Sequence, residues 1–136
     1  SMACHDKKTY KSEKAPAAIG PYSIAAGGGP FVFTAGQLPV DPATGEFVPG
    51  GIEEQTHQVL INLRTVLEAS SSCMNQVVKT TVFLRDMNDF PALNKVYGEY
   101  FTEQPPARTT VAVAGLPKNA LVEIEAIALL CKDANC

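Results

Sequence analysis

From Ile52 onward the apolar residues Ile52, Val59, Leu60, Leu63, Val66 and Leu67 recur at steps of three and four, with Glu53, Glu54 and Arg64 elsewhere on the wheel. That period predicts an amphipathic helix with one buried stripe, ending at "ASSS". The stretch "DMNDFPALNKVYGEYF" predicts a second helix: Asn88 as N-cap, Pro91 in the first turn, and Leu93, Val96, Tyr97 and Tyr100 at helical spacing. Elsewhere the pattern is β-branched and extended. Strands are expected at about 22–26 and 31–35, joined through "GGGP" as a hairpin, then at 76–85, and last at 107–114 and 121–130, joined by "GLPKNA". The Pro- and Gly-rich "LPVDPATGEFVPGG" reads as a surface loop of the kind that lines sites. The order ββαβαββ is an α+β fold with two helices on one face of the sheet. Val32, Val111, Val113, Val122 and Ile124 cannot all lie beneath them if the other face is apolar too, so the open face needs a second copy and a homo-oligomer is expected.

The chain has 136 residues, and no repeat or linker divides it. A single domain is expected over 14–131, with a polar tail at 1–13, whose Ser1 reads as an expression scar, and a short tail at 132–136. Hydrophobic residues make up 46% and charged ones 18%, and no apolar run approaches the roughly 20 residues of a membrane helix. A net charge of −3 gives no basic footprint for nucleic acid. "ACHDKKTYKSEKAP" lacks the apolar stretch of a secretory signal, which favours the cytoplasm. Its lysines leave a mitochondrial presequence as the alternative, against which Asp6 and Glu13 count. The cysteines, Cys4, Cys73, Cys131 and Cys136, show no C-x-x-C spacing and fit a reducing compartment. Cys4 and His5 fall short of a metal site, because His57 is the only other histidine and structural zinc wants four converging ligands. No metal is expected.

In "ALVEIEAIALL" the strand period of two puts Glu123 and Glu125 on one face, where mutual repulsion would raise a pKa toward the range useful for proton transfer. A charged edge strand that discourages aggregation explains the same pattern. Arg108 follows a Pro-Pro-Ala turn and shares a strand face with Thr110, Ala112 and Ala114, small side chains that leave room beside a fixed cation. Two readings stand: a clamp for a small carboxylate, or a salt bridge to Glu103 or Glu123. Tyr22 would present a phenol at a strand start, or simply pack; Asn94 falls among core positions of the second helix; His57 reads as part of a solvated helix face.

Taken together, "APAAIGPYS", "FTAGQLPVDPATGE", "VVKTTVFLRDMNDF" and "PPARTTVAVAGLPKNALVEIEAIA" resemble the RidA family, also called YjgF, from Lys14 to Leu129. The resemblance implies a chorismate-mutase-like fold with a mixed sheet, assembled as a trimeric barrel with three ligand clefts between subunits. It also implies a cofactor-free hydrolase that converts 2-aminoacrylate, 2-iminopropanoate and 2-iminobutanoate to 2-keto acids and ammonia. An endoribonuclease that inhibits translation, or a small-carboxylate-binding module, is the alternative. On the resemblance, Arg108 binds the substrate carboxylate, Glu123 positions or activates water, and Tyr22, Gly36 and Asn94 line the cleft. Two cleft positions depart from the common pattern: Ala35 stands where many members carry serine, and Thr110 where many carry cysteine.

Overall fold

The computed structural model describes residue 4, residues 6–133 and residue 136. The first predicted helix is α1 (Ile52–Ala69), and Val59, Leu60, Leu63, Val66 and Leu67 of its stripe are fully buried. The second is α2 (Phe90–Tyr100), with Pro91 in its first turn as expected. Its entry differs from expectation. Asp86 does the capping, its Oδ1 accepting the Asn88 N–H at 2.9 Å, so a 3-10 turn (Met87–Asp89) precedes α2. An aspartate placed two residues before a free N–H closes that turn more directly than Asn88 could.

Six strands form one sheet: β1 (Lys8–Tyr10), β2 (Ala25–Gly28), β3 (Phe31–Thr34), β4 (Val77–Leu84), β5 (Ala107–Ala112) and β6 (Val122–Leu129). Their order is β1-β2-β3-β6-β4-β5, with β4 and β5 parallel and every other pair antiparallel. The "GGGP" hairpin forms between β2 and β3. The last two strands do not pair, because β4 lies between them. The "LPKNA" segment makes a 3-10 turn with Lys118 and Asn119 at φ 53° and 58°, and this carries the chain across the end of β4. Burial explains the exchange: β6 alternates buried residues along its length and takes an interior position, whereas mostly exposed β5 tolerates the edge. Strand β1 was not expected, since three residues, "KTY", carry no alternation to detect.

Both helices pack on one face of the sheet. Val32, Val82, Leu84, Val122 and Ile124 meet Leu60, Leu63 and Leu67 of α1 and Leu93 and Val96 of α2 in one core. Three of the residues expected to compete for cover, Val32, Val122 and Ile124, therefore lie beneath the helices, and the uncovered apolar set is different. Phe33 pairs with Ile127 and Phe83 with Val111 on the opposite face, where Phe31, Phe33 and Val111 are exposed.

Buried Asn62 of α1 ties down the loop after β3. Its Nδ2 donates to Leu38 O at 3.0 Å and to Val40 O at 2.8 Å, while Gln58 Nε2 donates to its Oδ1 at 2.9 Å. Replacement by leucine keeps the branched shape and strands two carbonyls, so Asn62→Leu is expected to lower stability by about 2 to 3 kcal/mol in chemical denaturation. A change below about 0.5 kcal/mol, the level of an ordinary surface substitution, would show that solvent satisfies those carbonyls.

Candidate functional site

Arg108 is the second residue of edge strand β5, in register with Thr80 of β4. That register turns it toward the helices. Its guanidinium carbon lies 4.8 Å from the ring centre of Tyr97 and 5.3 Å from that of Phe90, both on α2. Tyr97 is itself fixed, its hydroxyl 2.7 Å from Thr80 Oγ1 and its ring 4.7 Å from that of Phe101. Burial pushes the Tyr97 phenol above its ordinary range, with the Thr80 hydrogen bond and then Arg108 opposing the shift. Among the described residues Arg108 forms neither an ion pair nor a hydrogen bond, so the expected alternatives of Glu103 or Glu123 as partner are not realised. A cation stacked on two rings with its N–H edge unpaired is preorganised for an anion. Thr110 follows on the same face, and its Oγ1 is buried without a hydrogen-bond partner.

Glu123 lies in β6 opposite Phe83, and Glu125 opposite Thr81, so the two carboxylates share a face as their spacing predicts. The Glu123 carboxyl is pushed above the ordinary glutamate range, chiefly by burial and only then by Glu125. This reverses the weighting expected from the sequence: the nearby chain removes water more effectively than the neighbouring charge repels. That nearby chain is the Ala35-Gly36 step. Gln37 and Ile124 exchange backbone hydrogen bonds at 2.8 and 3.3 Å, which lays the step across β6, and a Cβ added at Gly36 would collide with the Glu123 carboxylate. Glycine there lets the Glu123 carboxylate lie against the step, and any side chain would have to displace it, a reason additional to access for a ligand.

Within one chain the two groups cannot meet. Arg108 occupies the helix face and Glu123 the open face, with β4 between their strands. Two strand spacings separate them laterally by about 10 Å, and three residues of register add about 10 Å along the strands. A small molecule bound to one chain therefore cannot touch both groups.

The remaining predicted residues sort onto the two halves. Tyr22 and Gly36 line a cleft of about 270 Å³ together with Ile19, Gln37, Leu38 and Lys118. The Tyr22 hydroxyl accepts the Ile19 N–H at 3.2 Å, and its ring is half exposed. Ala35 donates its N–H to Ile24 O at 2.8 Å and receives Gln37 Nε2 on its carbonyl at 3.3 Å. Asn94 is exposed, contrary to the core placement expected for it. It stands four residues after Phe90 and three before Tyr97, so it shares the stripe that stacks on Arg108. His57 is only partly solvated: Nδ1 is 3.0 Å from the Tyr100 hydroxyl and Nε2 3.5 Å from a Glu99 oxygen, which clips α1 to α2. Reading the sequence alone missed Phe90, Tyr97 and Thr80 as supports of Arg108. Their signal was present in the 90/94/97 helical spacing, but it points equally to core. Cys4 is exposed with a free thiol, and His5 lies outside the described residues.

A family model described as Endoribonuclease L-PSP matches residues 12–130. The chain belongs to the L-PSP/RidA family. A RutC family protein of Pyrococcus horikoshii is 55% identical over 122 residues, which span 90% of this chain and 97% of that protein. The mouse 2-iminobutanoate/2-iminopropanoate deaminase is 48% identical over 123 residues, 90% of this chain and 91% of its own. The crystal structure of Escherichia coli TdcF with bound serine superposes with a TM-score of 0.86 at 41% identity, covering 91% of this chain and 99% of that one. The RidA-family architecture of two helices on a mixed six-stranded sheet is thus shared with solved members. None of the helices described here is long and apolar enough to cross a membrane.

Proposed function

We propose that this RidA-family chain hydrolyses 2-imino acids, or their enamine tautomers, to 2-keto acids and ammonia in clefts between the subunits of a homotrimer. The observation that carries the reading is the Arg108 guanidinium, stacked on Tyr97 and Phe90 and without an ion pair among the described residues. The naming of a mouse relative as a deaminase of such imines, and serine in the TdcF structure, support a small carboxylate-bearing substrate. The unpaired apolar band of Phe31, Phe33 and Val111 supports assembly through the open face.

In this mechanism Arg108 takes the substrate carboxylate bidentately, and Asn94 and Thr110 of the same subunit flank it. Glu123 of the neighbouring subunit, backed by Gly36 and with Tyr22 at the rim, holds a water against the imine carbon. As the water oxygen bonds to that carbon, Glu123 takes one of its protons and returns it to nitrogen, giving the carbinolamine; it then takes the hydroxyl proton and returns that to nitrogen as the C–N bond breaks, leaving the keto acid and ammonia. No redox step occurs, and the glutamate ends as it began. Ala35 supplies no hydroxyl to this cleft, so substrate orientation rests more heavily on Arg108.

The test generates 2-iminopropanoate in situ from alanine with an amino-acid oxidase and follows its decay with and without the chain. Faster keto-acid release than in buffer is expected. Equal rates with an assembled protein would overturn the reading.

The acid limb of this activity should lie above the ordinary glutamate range, because water activation needs Glu123 ionised and its pKa is raised. Glu125→Gln removes only the smaller cause, so the limb should move to lower pH yet stay above an unperturbed glutamate. A pH profile of kcat/KM checks this, and an unmoved limb would show that Glu125 does not act on Glu123. Stability has the matching sign: the folded chain binds the extra proton, so stability is greatest below the unfolded value and is lost as pH rises through the folded one.

A further inference from the structure

We infer that Cys73, Cys131 and Cys136 form a three-thiolate site for a soft metal ion. Their sulfurs all lie within 4.8 Å of one another: Cys131 and Cys136 are five residues apart, and the fold brings in Cys73 from 63 residues before Cys136. Cys136 Sγ is in bonding contact with the sulfurs of both Cys73 and Cys131, with Cα separations of 6.2 and 5.4 Å. A sulfur already joined to its Cβ has one further bond to give, so only one of those disulfides can exist at a time. A disulfide accounts for two of the cysteines and leaves the third without a reason to be there. A metal ion accounts for all three.

The frame for such a site is built into the fold. Cys131 follows β6 and donates its N–H to Ser71 O at 2.8 Å, while Ser72 Oγ donates to Leu129 O at 2.7 Å. These bonds lock the turn that carries Cys73 against the end of β6. Cys73 and Cys131 are partly buried, and Cys136 closes the set from solvent. Tetrahedral zinc thiolates, with Zn–S near 2.3 Å, hold their sulfurs about 3.8 Å apart, so an ion enters only the reduced set, once the sulfurs in bonding contact at Cys136 have separated. An all-sulfur donor set selects Zn²⁺, Cd²⁺ or Cu⁺ over the oxygen-loving Mg²⁺ and Ca²⁺. With three protein ligands, the fourth position remains for water or an added thiol. Glu123 lies eight residues back along β6, about 25 Å away, so the thiolates are separate from the hydrolytic cleft.

The experiment titrates Co²⁺ into the reduced full chain without oxygen and follows thiolate-to-cobalt absorption, then displaces the cobalt with Zn²⁺ or Cd²⁺. One ion per chain is expected, with affinity rising with pH as the thiols ionise. Cys73→Ser, Cys131→Ser and Cys136→Ser should each weaken binding by about tenfold or more, and Cys4→Ser should leave it unchanged. Zn²⁺ should also raise the melting temperature of the parent chain and not that of Cys136→Ser. Absence of the charge-transfer band overturns the site. So does binding indifferent to Cys136→Ser, or a reduced chain that on mild oxidation forms one disulfide and had taken up no ion beforehand.

Discussion

Arg108→Ala is expected to slow hydrolysis of 2-iminopropanoate by about 100- to 1,000-fold, the loss of a bidentate charge-assisted pair of roughly 3 to 4 kcal/mol. The effect should fall on kcat/KM as a whole, because the same contact binds the substrate and orients its imine carbon. The fold should survive. Arg108 sits on an edge strand and shares no ion pair among the described residues, so its removal strands no buried acid there. Arg108→Lys separates the parts of this effect. It keeps the charge but loses both the fork and the planar surface that stacks on Tyr97 and Phe90, so it should recover only part of the lost rate. Phe90→Leu, which leaves Arg108 in place and removes one of its two stacking rings, should give a smaller decrease, read mainly in KM. Full activity in Arg108→Ala would show that no substrate carboxylate rests on this residue, and would move the proposed function to a site elsewhere on the chain.

How legible these features were depends on whether they are written locally. The stripe of α1 is local, and of the apolar positions read from its period all but the first, the partly buried Ile52, are buried in the structure. The face shared by Glu123 and Glu125 is local too, since strand alternation fixes it regardless of neighbours. Strand order is not local: the turn chemistry of "GLPKNA" is compatible with a hairpin, and only the competition for interior positions places β4 between β5 and β6. The same holds for charge. Two glutamates at alternate positions advertise repulsion, yet the larger effect on Glu123 comes from a backbone step nearly ninety residues earlier that no spacing rule could bring to it. Asn94 shows the cost of reading one helix alone, for it shares a stripe with Phe90 and Tyr97, which lie over Arg108 of a distant strand, yet is itself exposed. The three sulfurs are the extreme case, because only the packing of the segment after α1 against the end of β6 makes neighbours of Cys73 and Cys131.

Opposite faces make a second expectation sharp. If the active cleft joins Arg108 of one subunit to Glu123 of the next, then Arg108→Ala and Glu123→Gln proteins, each nearly inactive alone, should restore one another when their subunits are mixed by co-expression or refolding. In a randomly mixed ring each half of a cleft is intact with a chance of one half, so about one quarter of the wild-type activity should return. Mixing wild type with the Arg108→Ala, Glu123→Gln double variant gives the complementary count. Composite clefts should again retain about one quarter, whereas clefts built within one chain would retain about one half, because each wild-type chain would keep its own. Differently tagged chains, purified in sequence through both tags, isolate the mixed trimers and exclude parent rings; there the expected return is about one third for the paired single variants, and about one sixth against one half for the double variant. A pair of single variants that stays inactive in verified mixed rings would mean that both groups serve one chain. That outcome conflicts with the placement of Arg108 under α2 and of Glu123 on the far face, and it would require β5 to detach from β4 when substrate binds. Recovery to one third in the mixed rings would assign the carboxylate clamp and the water-holding acid to different subunits, making assembly a condition of catalysis.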